Sequence, residues 1–214
     1  MTITAVLWDF GGVLTSSPFD AFNRFERDRG IPLDFIRRVN SVNPTTNAWA
    51  QFESARMNLD EFDCAFADET SSAGHQIYGR EIIALLSGEL RPRMIEVLKR
   101  CKKNYKVACI TNNVQAGSDV PRSNTAAHAA AINEVMGIFE CVIESSKVGI
   151  RKPDPQIYTM ACELLEIDPV EAIYLDDLGI NLKPARALGM HTIKVVSEEQ
   201  AIGDLSQALG IEFL

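Results

Sequence analysis

Four short polar stations close apolar runs in this 214-residue chain, and each carries groups suited to metal or phosphate chemistry. Asp9, followed by Phe10-Gly11-Gly12, ends the run at residues 3–10. Thr111-Asn112-Asn113 end the run at 106–111, Lys152 lies in the polar stretch 145–155 after the run at 139–144, and Asp176-Asp177 end the run at 172–175. An aspartate at a strand end often only caps the next helix. Four polar sets at successive strand ends point instead to a crevice that binds something, because open α/β sheets bind ligands beyond the carboxyl ends of their strands. Asp9, Asp176 and Asp177 at adjacent strand ends would repel one another. A hard divalent cation relieves that repulsion, and Mg²⁺ takes one or two carboxylates while keeping positions for water or phosphate oxygens. Lys152, Thr111 and Asn112 supply donors for the anionic substrate that completes such a shell.

The elements that must position these groups are legible from periodicity. Short runs at residues 3–10, 106–111, 139–144, 172–175 and 192–196 are apolar on both faces, as buried strands are. Amphipathic patterns at 92–103, 155–166, 182–188 and 198–209 predict helices between the later strands. Strands of this kind alternating with helices give an α/β fold with a parallel, Rossmann-like sheet covered on both sides. Residues 15–88 break the rhythm: the pattern is helical throughout, and far longer than a crossover requires. Seven of the ten phenylalanines (Phe19, Phe22, Phe25, Phe35, Phe52, Phe62 and Phe66) lie there with Trp49, and Leu33, Ile36 and Val39 repeat at helical spacing. The expected division is an α/β core of residues 1–14 and 89–214 with an inserted all-helical domain at 15–88. A polar stretch at 115–125 is expected to be a loop.

Composition narrows the partners. With 29 acidic and 21 basic residues the formal charge is −8, which disfavours nucleic acid and anionic membrane surfaces. The five cysteines are widely spaced without a CxxC pair and read as buried, reduced thiols. No apolar run approaches a membrane span and no secretory leader pattern opens the sequence, so a cytoplasmic protein is expected.

The order of stations resembles the haloacid dehalogenase-like superfamily: an Asp after the first strand, Thr-Asn after the second, a Lys-Pro-Asp-Pro run, then paired acids. The stretch Leu175-Asp176-Asp177-Leu178-Gly179-Ile180-Asn181-Leu182-Lys183-Pro184-Ala185-Arg186 is similar to that of the phosphatase domain of soluble epoxide hydrolases. The resemblance covers essentially the whole chain, with the helical insertion where the family carries a type I cap. It implies an Mg²⁺-dependent hydrolase of small phosphorylated metabolites, with Asp9 as nucleophile forming an aspartyl-phosphate. It further implies Asp9, Asp177 and the Gly11 carbonyl as metal ligands, with Asp176 as a second carboxylate ligand or a partner through water. Thr111, Asn112 and Lys152 would hold the phosphoryl group, and Lys152 would also anchor Asp9.

One position departs from the family. Its phosphatases carry a second Asp two residues after the nucleophile, as general acid and base, where this chain has Gly11. Such assistance is worth about 10²–10⁴-fold, so slow turnover, a good leaving group or an acid from elsewhere are the three consistent outcomes. A metal-independent 2-haloacid dehalogenase and a non-catalytic protein that binds a phosphometabolite or a partner are the alternatives. The paired acids favour the phosphatase. His75, His128 and His191 form no metal-ligand spacing, and Arg56, Ser16, Ser17, Arg151, Lys183 and Arg186 receive no catalytic role.

Overall fold

The computed structural model describes residues 2–114 and 126–213. Among these residues, β1 (Ala5–Trp8), β2 (Lys106–Thr111), β3 (Cys141–Glu144), β4 (Ala172–Asp176) and β5 (His191–Lys194) form one sheet in the order β3-β2-β1-β4-β5. Every pairing is parallel. Between β1 and β2 run α1 (Pro18–Asp28), α2 (Phe35–Ser41), α3 (Ala48–Glu53), α4 (Leu59–Ser72), α5 (Gly79–Ile83) and α6 (Pro92–Cys101). After β2 come α7 (Ala126–Met136), α8 (Ser145–Val148), α9 (Pro155–Leu165), α10 (Gly179–Ala187) and α11 (Glu198–Leu209). The expected loop at 115–125 lies outside the described residues.

Side chains alternate across the strands, so both faces of the sheet are dry. Val6 and Trp8 point with Val107, Cys109, Ile173 and Leu175 toward α6 and α11. Ala5 and Leu7 point with Ala108, Ile110 and Tyr174 toward α9 and α10. Local chemistry sets the helix ends. Pro18, Pro92 and Pro155 occupy first-turn positions of α1, α6 and α9, where their missing N–H costs nothing. Ser197 and Gln200 close a capping box on α11, and Gly210 ends that helix at φ +67°. The strands agree with the sequence pattern to within two residues, whereas α10 starts three residues before the expected 182 and α7 adds a helix that the pattern did not mark.

Helices α1 to α5 share a separate buried cluster, built on Phe22, Phe35, Phe52, Phe62 and Phe66. Phe62 stacks on Phe52 with centroids 4.4 Å apart and meets Trp49 edge-on at 5.8 Å. Ile36 and Val39 join the cluster, but Leu33 is exposed because α2 starts only at Phe35. Asn58 and Glu61 form a capping box on α4. Glutamates serve neighbouring helices: Glu26 accepts the Ile36 N–H and Glu69 the Ala48 N–H, each at 2.8 Å. Entry and exit of this insertion run side by side, since Thr15 and Leu90 form an antiparallel bridge flanked by Ser16 N–Glu89 O and Arg91 N–Leu14 O bonds of 2.8 Å.

The five cysteines are free; Cys101, Cys109 and Cys162 are buried, Cys141 is half-buried and, against expectation, Cys64 is exposed. Among the described residues no helix is long and apolar enough to cross a membrane.

Candidate active site

Strand β1 is central, with β2 on one side and β4 on the other. The connection order therefore reverses at β1, and Asp9, the first residue beyond it, stands at the switch point. Its carboxylate is buried. Oδ1 accepts the Phe10 N–H at 2.7 Å and the Lys152 ammonium at 2.8 Å. Oδ2 accepts no hydrogen bond from any described residue, so one oxygen is fixed and the other is available for chemistry.

Asp176 ends β4 and is fully buried. Its Oδ2 accepts Lys152 Nζ at 2.9 Å and the Tyr174 hydroxyl at 2.5 Å, and its Oδ1 accepts the Leu178 N–H at 2.7 Å. Asn181 Nδ2 lies 3.1 Å from both oxygens. Asp176 is thus saturated by donors and shares Lys152 with Asp9. Asp177 is only half-buried, and one carboxylate oxygen from each of Asp9, Asp176 and Asp177 lies within 4.8 Å of the others.

Electrostatics follow from this crowding. Burial pushes the Asp9 carboxyl well above the ordinary carboxylate range; Lys152 pulls it back, while Asp176 and Asp177 add to the rise. Asp177 is pushed up to about 6, first by burial and then by Asp176, against the pull of Lys152 and Arg91. Burial by itself would lower the Lys152 ammonium, but Asp176 and Asp9 outweigh it and hold it well above the ordinary lysine value. Burial and the same two carboxylates raise the Tyr174 phenol, which therefore stays protonated and donates. With all groups ionised, three carboxylates and one ammonium leave a net charge of −2. That is the charge a divalent cation cancels, and an all-oxygen donor set suits Mg²⁺.

The Asp9 loop is shaped for this cluster. Gly12 adopts φ +76°, and a Cβ there would stand 2.3 Å from Asp177 Oδ2, so only glycine lets that carboxylate approach. Arg91, at the exit of the insertion, donates to the Gly12 carbonyl at 2.7 Å and fixes the loop. At Gly11 a Cβ would meet nothing within 4 Å.

The fold brings Asp9, Lys152, Asp176 and Asp177 together, with Gly11 beside them. Thr111, buried at the end of β2, uses its hydroxyl for no hydrogen bond among the described residues. The Asn112 side chain turns to the backbone of Lys152. Its Oδ1 accepts the Lys152 N–H at 2.8 Å and its Nδ2 donates to the Lys152 carbonyl at 3.0 Å, a bracket that fixes the backbone of the lysine. Asn113 ties the β2 and β3 ends together by donating to Glu144 at 2.7 Å and accepting from Ser146 Oγ at 2.8 Å. His191 opens β5 at the opposite end of the sheet from the carboxylates.

Sequence reasoning missed Tyr174, Asn181, Arg91, Glu53 and the contact of Arg151. Tyr174 carried a signal, a hydroxyl two residues before Asp176 on the same strand face. Asn181 lies one helical turn beyond the acids. Arg91, Glu53 and Arg151 carried none, because their partners are distant in sequence.

Residues 3–189 match the family described as haloacid dehalogenase-like hydrolase, and the chain belongs to that family. It is 28% identical over 227 residues to bifunctional epoxide hydrolase 2 of Mus musculus, covering 100% of this chain and 40% of that protein. The chain spans less than half the length of the first curated relatives it matches. Phosphatase MT3486 of Mycobacterium tuberculosis (strain CDC 1551 / Oshkosh) is 30% identical over 206 residues, covering 91% of this chain and 88% of that one. A HAD-family enzyme of Bacteroides thetaiotaomicron, crystallised with magnesium and inorganic phosphate, superposes with a TM-score of 0.59 at 20% identity, covering 92% of this chain and 96% of that one.

Proposed function

We propose that this protein is a cytoplasmic, Mg²⁺-dependent phosphatase of small phosphorylated metabolites, with Asp9 as nucleophile. The observation that carries the proposal is the half-engaged Asp9 carboxylate: Oδ1 is locked by Lys152 and Phe10, Oδ2 accepts no hydrogen bond from any described residue, and the group clusters with the carboxylates of Asp176 and Asp177. Similarity to a named phosphatase and to an enzyme crystallised with magnesium and phosphate supports it. Asp9, Asp177 and the Gly11 carbonyl are the groups that would hold Mg²⁺, which supplies neutralisation of charge on the transferring group. Asp176, whose oxygens are already saturated, acts through Lys152 and Asp177 rather than as a direct ligand.

In the first step Asp9 Oδ2 forms a bond to phosphorus as the bond to the ester oxygen breaks, and in the second, water displaces the carboxylate and releases phosphate. Lys152 keeps Oδ1 oriented and balances charge through both steps. Thr111 and the main chain that follows it contact the phosphoryl oxygens. The helices of residues 15–88 act as the cap that covers the crevice and excludes water. Because Gly11 offers no proton, the leaving oxygen draws its proton from solvent, and esters with good leaving groups turn over fastest.

Phosphate release from p-nitrophenyl phosphate, with and without Mg²⁺, tests this. Wild type should require Mg²⁺, and Asp9→Asn should be slower by on the order of 10³-fold or more. Equal rates for the two proteins would end the enzymatic reading, and chloride release from 2-haloacids without metal would select a dehalogenase. Gly11→Asp, whose Cβ would meet nothing within 4 Å, should raise turnover of alkyl phosphates by up to about 10²–10⁴-fold. An unchanged or lower rate would mean that another group already supplies the proton.

A further inference from the structure

Arg151 stands immediately before Lys152, yet none of its guanidinium contacts goes to the carboxylate cluster. Nε and Nη2 meet Glu53 Oε2 at 2.7 and 2.6 Å, and Nη1 donates to the Pro44 carbonyl at 2.8 Å. Both acceptors belong to the helical insertion: Glu53 is the last residue of α3, and Pro44 lies in the segment before it. Glu53 is a buried carboxylate, at 7% exposure, and the Arg151 side chain is 22% exposed, so the pair is shielded from solvent where the insertion meets the α/β layer. The same Glu53 oxygen stands 3.4 Å from Asn112 Nδ2, the amide that brackets the Lys152 backbone. A continuous line of side chains therefore runs from α3 through Arg151 and Asn112 to Lys152, and from Lys152 Nζ to Asp9 Oδ1.

We propose that Glu53 is a positioning residue that couples the seating of the helical insertion to the active site, because it holds Arg151 and Asn112 and through them fixes Lys152 against Asp9. The proposal rests on the roles given above to Asp9 and Lys152. An ion pair at the surface is screened and holds little. A buried one has two well-defined states, made and broken, because breaking it leaves an uncompensated charge. When the insertion is seated, Glu53 satisfies Arg151, the amide of Asn112 stays aligned and the main chain of Lys152 is clamped. When the insertion lifts, Arg151 loses three of its hydrogen bonds together and the lysine segment loses its outer support. Displacement of about 1 Å at a catalytic group costs up to about 10²-fold in rate, so a modest loosening at Lys152 is enough to switch turnover with the position of the insertion.

The test uses the full chain and two readouts, of which only one needs enzymatic activity. The first is hydrogen exchange at the Lys152 amide, whose proton is donated to Asn112 Oδ1. The second is kcat and KM for p-nitrophenyl phosphate with Mg²⁺. Glu53→Ala should exchange the Lys152 amide about tenfold faster or more and lower kcat by between about 10- and 100-fold, with KM changed less than about twofold. Arg151→Met should do the same, and the double variant should fall no further than the worse single one, as residues acting as a unit do. Glu53→Gln, which keeps the shape and one acceptor, should lie between; if Glu53→Ala does not fold, this variant alone decides the question. Glu26→Gln is the control: it alters a buried carboxylate of the insertion that, among the described residues, accepts a hydrogen bond from the Ile36 amide alone, and should lower the melting temperature while leaving both readouts in place. Unchanged exchange at Lys152, faster exchange with unchanged kcat, or additive effects in the double variant would overturn the proposal. If wild type itself releases no phosphate, the phosphatase reading fails, and the exchange measurement still decides whether Glu53 sets Lys152.

Discussion

The strand ends of the sheet and the helical insertion solve the same problem, burying charged groups, in opposite ways. At the strand ends the buried carboxylates of Asp9 and Asp176 share one ammonium. Lys152 lies between two carboxylates, and Asp176 accepts donors from Lys152, Tyr174, Leu178 and Asn181. In the insertion, cohesion comes from stacked aromatic rings, and Glu26 and Glu69 each leave one buried oxygen without a hydrogen bond among the described residues. A fully satisfied polar network is rigid and keeps reacting groups in register. An aromatic cluster coheres by ring packing instead. The two regions meet at the Glu53–Arg151 pair, where a buried charge of one is answered by the other.

Three experiments press on that contrast. The largest expected effect is in the insertion. Phe62→Ala removes a fully buried ring packed on Phe52, Phe66 and Trp49 and should cost about 3–5 kcal/mol in denaturant unfolding, while the carboxylate cluster keeps its Mg²⁺ affinity. Lost metal binding in a folded Phe62→Ala protein would show that the two regions are not separable.

Next is the response to the ion. A carboxyl whose folded pKa is raised costs stability when ionised; for Asp177, at about 6, that cost is full above pH 6 and is relieved as pH falls toward the ordinary value of 3.8. Mg²⁺ should therefore raise the melting temperature most near pH 7.5, by the equivalent of about 2.7 kcal/mol at a hundred times its Kd, and much less at pH 5, where Asp177 is protonated. Scanning fluorimetry across this range checks it, and a shift independent of pH would remove Asp177 from the ligand set.

The smallest effect is at the network's edge. Tyr174→Phe deletes one of several donors to Asp176 and should cost about 1.5 kcal/mol, with a modest loss of kcat. A loss as large as that of Asp9→Asn would mean that the phenol contributes far more than orientation.

The legibility of the molecule divides along the same line. Strand positions could be read because a strand covered on both faces must be apolar throughout, and the stations followed because ligands gather where such strands end. Leu33 was misread since helical spacing does not reveal where a helix starts, and α2 starts after it. That the Asn112 amide brackets the Lys152 backbone was not legible, because that backbone lies forty residues away. Glycine spoke only in part. The lack of a side chain at Gly11 was evident in the letters, but that Gly12 must be glycine became clear only when Asp177 was found against it.

The amino-acid sequence by itself determined the parallel sheet, the helical interruption after β1 and the identities of Asp9, Lys152, Asp176 and Asp177. These follow from periodicity and residue type, which are local properties of the chain. Tertiary structure alone decided which Asp9 oxygen is engaged, which acid is saturated by donors, and that Glu53 reaches Arg151 across ninety-eight residues. Those are facts of distance and angle between segments remote in sequence, and hydrogen bonds are made or missed on differences of less than an ångström.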